Sequence, residues 1–270
     1  MFRIKYSVLF VLLLCGAGIG AMHKDSLLVR GTNGATSLVG VWWGQSDYAV
    51  VSPKEMSVAK SSKKGSRGRK KADGKALAQD GTASSVAVWF HGGMTSGNCE
   101  KGLVAGNDLA ALLPDFTVIS VSACKESHWV TPIAVEWVDA ALDSVAARRK
   151  VPVDIVYLIG VSDGALGVIA YSMEGRHKVV ARTLISSYGS MLGTAEEVAG
   201  NPRLQSGKWN FLQGGSDRLY PSQETVPWIE NFCRTVGKSC YLNFDQKGEH
   251  DWTYWKGGHK DWILKLFKEK

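Results

Sequence analysis

Residues 153–171 read VDIVYLIGVSDGALGVIAY. An apolar run rich in β-branched residues ends at Gly160-Val161-Ser162-Asp163-Gly164, and a second apolar run with helical composition follows. A strand that enters a helix through Gly-x-Ser-x-Gly holds its serine on a sharp turn, and small residues at Gly160 and Gly164 relieve crowding where the chain reverses. Ser162 is thereby a candidate nucleophile, and the Asp163 backbone N–H, at the helix start, is a candidate oxyanion donor. A plainer reading makes Ser162 a helix cap. Five residues do not separate the two, so the surroundings must.

Those surroundings alternate. Strand-like runs fall at 36–43, 47–52, 84–90, 116–122, 154–160, 178–186, 208–214 and 240–245, with helix-like stretches at 106–114, 132–150, 163–175, 222–237 and 259–270. A hairpin from the first two runs, followed by strand–helix alternation, predicts an α/β domain with a mostly parallel eight-stranded sheet, an N-terminal antiparallel hairpin and helices on both faces. In open sheets of this kind ligands bind beyond the carboxyl ends of the strands.

Four post-strand loops carry reactive or positioning groups: FHGGMTSGNC (90–99), GVSDG (160–164), GGSDRLYP (214–221) and QKGEHDW (246–252). HGG after a strand lets backbone N–H groups turn inward, so Gly93, with Met94 as the alternative, is the second candidate oxyanion donor. His91 reads as a histidine that orients this loop. Asp217 alone would pass for a capping aspartate, and His250 alone for a surface histidine. Taken with Ser162, each after its own strand, they give the chain order Ser, Asp, His of one class of catalytic triad. His128 and His177 precede any acid in that order, and His259 lies in the run-up to the last helix. Asp245 is the best substitute for Asp217 but sits very close to His250 in sequence.

On these residues the chain resembles the α/β-hydrolases. The span from VAVWFHGG through VEWVDAALDSVAARRKVPVDIVYLIGVSDGALGVIAY is similar to secreted esterases of the feruloyl-esterase and polyhydroxybutyrate-depolymerase (esterase-D-like) type, a likeness covering roughly residues 84–267. It implies an α/β-hydrolase fold and a serine esterase with Ser162 as nucleophile, His250 as base and Asp217 as the orienting acid. No cofactor or metal is implied. That group commonly carries a second glycine after the elbow where this chain has Ala165, and Asp163 beside the nucleophile is less usual. Peptidases, thioesterases and lipases share the triad. A non-catalytic envelope binding protein is the reading from another class.

The N-terminus, MFRIKYSVLFVLLLCGAGIGAMHKD, places Arg3 and Lys5 before the apolar stretch Val8 to Leu14 and small residues through Ala21. That is the layout of a signal peptide over 1–21, cleaved among Ala17 to Ala21, with export to the periplasm or beyond. The apolar core is shorter than the ~20 residues a spanning helix needs. A lipid anchor at Cys15 is the less favoured alternative, because Leu14 stands where such signals carry a small residue. Cys99, Cys124, Cys233 and Cys240 remain after cleavage, and three pairings are open to them. The resemblance, by making the third and fourth strands neighbours, implies Cys99–Cys124 and Cys233–Cys240.

The net charge of +7 is local. Between Lys54 and Lys75 nine basic residues meet two acidic ones, and the rest of the 270-residue chain is balanced. This excludes a globally basic, nucleic-acid-binding domain. The segment reads as a disordered insertion at about 54–83 within a hydrolase domain spanning 30–270. Weak electrostatic contact of this loop with an anionic surface is the functional alternative to a solvated loop. Ten tryptophans are many; Trp129 and Trp252 fall in active-side loops, which makes them candidate contacts for an aromatic or sugar-bearing ester, small or polysaccharide-linked. Apolar packing beneath those loops is the alternative for both. The oligomeric state is not encoded in any of these features.

Overall fold

The computed structural model describes residues 23–43, 85–93, 100–123, 129–149, 152–153 and 155–268. The signal-like segment, the run at 47–52, the basic insertion, Met94, Cys99 and Cys124 lie outside the described residues.

Eight strands form one sheet: β1 (His23–Arg30), β2 (Thr36–Trp43), β3 (Val86–Phe90), β4 (Thr117–Val121), β5 (Val156–Val161), β6 (Val179–Ile185), β7 (Lys208–Gly214) and β8 (Cys240–Asp245). Their order is β1-β2-β4-β3-β5-β6-β7-β8. β1–β2 and β2–β4 are antiparallel and the remaining pairs parallel. The sheet class is as expected, but the hairpin is built differently. β2 pairs with His23–Arg30, so the folded domain starts ahead of residue 30. The strand HKDSLLVR escapes a periodicity reading because only its second half, with Leu27 and Val29 buried, alternates cleanly.

The sheet is covered on both faces, which is why β3 and β4 are buried at every residue and β3 reads as an unbroken apolar run. Successive side chains on β3 alternate between two cores. Val86, Val88 and Phe90 join a cluster with Leu158, Val168 and Phe211; Ala87 and Trp89 join another with Ile159, Leu212 and Trp255. Each such side chain contributes roughly 1.5–3 kcal/mol by leaving water.

The helices are α1 (Lys101–Ala105), α2 (Asn107–Leu112), α3 (Pro132–Arg149), α4 (Asp163–Glu174), α5 (Ala195–Ala199), α6 (Ser222–Val236), α7 (Trp252–Gly258), α8 (Lys260–Ile263) and α9 (Lys265–Lys268). The helix expected at 106–114 is α2, preceded by the unexpected α1, and the two meet at Gly106, where a Cβ would come within 2.6 Å of the Trp42 ring. The one expected at 259–270 is the pair α8 and α9, preceded by the unexpected α7. α4 is buried from Asp163 to Ser172, and Tyr171 Oη donates to Asp139 Oδ1 at 2.7 Å, tying α4 to α3. A disulfide joins Cys233 on α6 to Cys240 at the start of β8, matching the expected pair.

Candidate active site

The turn between β5 and α4 has no room for side chains at its two glycines. A Cβ at Gly160 would lie 2.2 Å from the Gly164 carbonyl oxygen, and one at Gly164 would lie 2.0 Å from the Phe90 carbonyl oxygen. With the chain pressed this tightly, Ser162 is held at φ 56°, ψ −125°. For a residue with a Cβ that is a sparsely populated region, costing of order 1–3 kcal/mol unless the surroundings over-determine it. They do: the Ser162 N–H donates to Ile185 O at 2.9 Å, and Ser162 O accepts from the Ala165 N–H at 2.9 Å. Ala165, completely buried, fits the helix without distortion.

His250 follows β8 and reaches the serine, while Asp217 follows β7 and reaches His250. His250 Nε2 is 2.8 Å from Ser162 Oγ, and Nδ1 is 2.9 Å from Asp217 Oδ2. A carboxylate at Nδ1 requires that nitrogen to carry the proton, which leaves Nε2 as acceptor for the serine hydroxyl. Asp217 is fully buried at its side chain, and Oδ1 accepts from the N–H groups of Leu219 and Tyr220, each at 2.9 Å. The loops bearing Asp217 and His250 are stitched together. Gly215 N–H donates to Asp245 O at 2.8 Å, Ser216 N–H donates to Gly248 O at 2.9 Å, and a Cβ on Gly214 would sit 2.1 Å from Gly248 O.

The HGG segment runs beside Ser162. A Cβ on Gly92 would stand 3.3 Å from Ser162 Cβ, and Gly93 has φ +87°, a conformation open to glycine. His91 anchors the segment from below: its Nδ1 lies 3.0 Å from Gly92 O, and its Nε2 accepts from the Ala123 N–H at 3.1 Å. Only the neutral Nδ1–H tautomer satisfies both. Burial lowers the pKa of His91 to about 4. Lys101, the first residue of α1, brings its ammonium to 3.4 Å from Gly92 O.

Trp129 requires a correction. It is 1% exposed, packs against Phe90 and His91 with ring centroids 4.8 and 5.1 Å apart, and its indole N–H donates to His91 O at 2.9 Å. It supports the HGG segment from inside the core and offers no surface to a substrate. Trp252 is half-buried, 4.7 Å from the Trp89 ring, and donates to Asp108 Oδ2 at 3.2 Å. Its indole is committed to the packing of α7 on the sheet.

The rival residues are engaged elsewhere. Asp245 accepts from Tyr254 Oη and the Lys247 N–H and lies 2.8 Å from His259 Nε2. The Tyr254 hydroxyl and the other two contacts hold its carboxyl below the usual range. His177 pairs with Asp143 at 3.1 Å. Among the described residues no group of three or more His, Cys, Asp or Glu side chains is placed to hold a metal.

One neighbour of the triad has no sequence signal beyond its place three residues after Asp217. The ring of Tyr220 stacks on His250, centroids 5.4 Å apart and planes 24° from parallel. Burial raises the pKa of its hydroxyl, and the charge of Asp163 adds to the rise. Asp163 itself is buried in the first turn of α4, where the helix dipole favours a negative charge.

No protein-family model matches the chain, and no curated protein matches it in sequence. Solved structures do match. A cold-adapted esterase from an Arctic intertidal metagenomic library superposes with a TM-score of 0.56 at 16% identity, covering 91% of this chain and 94% of the other. A putative α/β-hydrolase from Agrobacterium tumefaciens gives 0.59 at 13% identity, covering 91% and 98%. The S-formylglutathione hydrolase FrmB from Staphylococcus aureus gives 0.54 at 14% identity, covering 91% and 99%. With the sheet order and the strand-turn-helix at Ser162, these likenesses establish an α/β-hydrolase fold.

Proposed function

We propose that this chain is an exported serine hydrolase that cleaves carboxylic esters through Ser162, His250 and Asp217. The observation that carries the reading is the unbroken hydrogen-bonded line Asp217–His250–Ser162, ending on a serine in a strained, over-determined turn. Esterases and an S-formylglutathione hydrolase among the structural neighbours support the choice of ester substrates.

In the first half-reaction His250 Nε2 takes the Ser162 hydroxyl proton as Oγ adds to the ester carbonyl. The resulting oxyanion is received by the backbone N–H groups of Gly93 and Asp163. Collapse breaks the bond to the alkoxy group, which leaves with the proton from His250, and the acyl group stays on Oγ. Water, deprotonated by the same Nε2, then adds to the acyl carbon, and the acid departs as Oγ recovers its proton. Asp217, with Oδ1 occupied by two backbone N–H groups, keeps Oδ2 aimed at Nδ1 and stabilises the imidazolium of each step.

The substrates we assign are small esters or esters borne by a polysaccharide, presented to the exported protein without a cofactor. The Cys233–Cys240 disulfide supports an oxidising compartment, and among the described residues no helix is long and apolar enough to cross a membrane. With Trp129 in the core and Trp252 packed on Trp89, the preference for aromatic or sugar-bearing esters rests on the resemblance alone.

The test is hydrolysis of short p-nitrophenyl esters by wild type and Ser162→Ala, with fluorophosphonate labelling of both. The expected result is labelling of wild type only and a fall in kcat of about 10⁵-fold or more. Undiminished turnover by Ser162→Ala would overturn the assignment.

A further inference from the structure

We propose that Tyr220 is a positioning residue for this reaction, its ring lying along the face of His250 to hold the imidazole on the Asp217–Ser162 line and to favour the imidazolium. The proposal rests on the triad reading and goes beyond it. Tyr220 is fixed at three points. Its backbone N–H donates to the acid, Asp217 Oδ1, at 2.9 Å. Its carbonyl accepts from Gln213 Nε2 at 2.9 Å. Its ring meets Tyr188 edge-on at 5.9 Å. One residue therefore shares a hydrogen bond with the acid and a ring face with the base.

That geometry does two things. It restricts rotation of the imidazole, whose two nitrogens must stay on Asp217 and Ser162 at once. It also sets the electron-rich face of a phenol 5.4 Å from a ring that becomes cationic when Ser162 gives up its proton, within the ~6 Å over which a cation is drawn to an aromatic face. The hydroxyl remains protonated under these conditions, since burial shifts its pKa upward. The ionisable groups around the pair are Asp217 at Nδ1 of His250, Tyr188 against the Tyr220 ring, and Asp163 of α4, whose charge is felt at Tyr220.

The test compares Tyr220→Phe, which keeps the face and loses only the hydroxyl, with Tyr220→Leu and Tyr220→Met, which keep bulk and lose the face. Two ring-less variants guard against one failing to fold. For each, kcat and KM are measured on a p-nitrophenyl ester, and the His250 imidazole is titrated by ¹⁵N NMR in a Ser162→Ala background. The ring-less variants should lose about fivefold in kcat with KM within twofold, and the His250 midpoint should drop by about half a pH unit. Tyr220→Phe should restore both. A Phe variant as impaired as Leu, or a midpoint unmoved in both ring-less variants, overturns the proposal. The titration needs no turnover, so it separates the two readings. If the midpoint moves while wild-type hydrolysis proves independent of Ser162, the triad assignment fails and the Tyr220–His250 coupling stands.

Discussion

Acidification should destabilise this protein through a histidine that takes no part in the proposed chemistry. His91 is 4% exposed and held as the neutral Nδ1–H tautomer between Gly92 O and the Ala123 N–H. Burial lowers its pKa from 6.5 to about 4. In the unfolded chain the ring protonates near 6.5, so between that value and about 4 the unfolded state binds the extra proton and the folded state does not. The stabilisation is complete above about pH 6.5, declines as the pH falls toward 4, and changes no further below that. A shift of about 2.5 units at about 1.36 kcal/mol per unit amounts to about 3 kcal/mol. That is a large share of the 5–15 kcal/mol by which domains of this kind are typically stable. The assay is urea unfolding of wild type and His91→Gln near pH 7 and near pH 4. Other titrating groups contribute equally to both proteins, so the difference between the two pH-induced losses isolates His91. Wild type should lose about 3 kcal/mol more than the variant. An equal loss would refute the argument and mean that His91 accepts its proton without disturbing the loop.

The remaining predictions concern backbone approach and cross-linking. Gly164→Ala would drive a methyl group to 2.0 Å from the Phe90 carbonyl, and it should cost about 3 kcal/mol or more in urea unfolding. Gly257→Ala, in α7 with nothing within 4 Å of the added carbon, should instead stabilise by about 0.5–1 kcal/mol. Removing the Cys233–Cys240 bond by a double alanine substitution opens a loop with a sequence separation of 7. The thermal midpoint should fall by an amount matching roughly 2.5 kcal/mol on loop-closure arithmetic.

The parts of this molecule legible in the sequence are those whose signal is local. Gly160 and Gly164 flank Ser162 because the turn admits nothing larger, and β3 announces itself as an apolar run because both faces of the sheet are covered there. Asp217 and His250 are legible because each follows its own strand. β1 was hidden because half of its side chains face solvent and its apolar alternation begins only at Leu27. The sequence leaves Trp129 between substrate contact and apolar packing because a loop position does not say which way an indole points; the fold shows it turned inward onto Phe90 and His91. Tyr220 is a contact between side chains on different loops, and no periodicity or spacing carries that information.

The backbone stitching between the loops after β7 and β8 has a mechanical consequence. With Gly214 against Gly248 and two main-chain hydrogen bonds across the gap, Asp217 and His250 belong to one stiff body, while Ser162 belongs to the β5–α4 turn. Any flexing of the β8 edge of the sheet is then felt at the hydrogen bond that crosses between the bodies, from His250 Nε2 to Ser162 Oγ. A folded but silent form of this protein would keep its acid–base pair assembled and withdraw it, as a unit, from the serine.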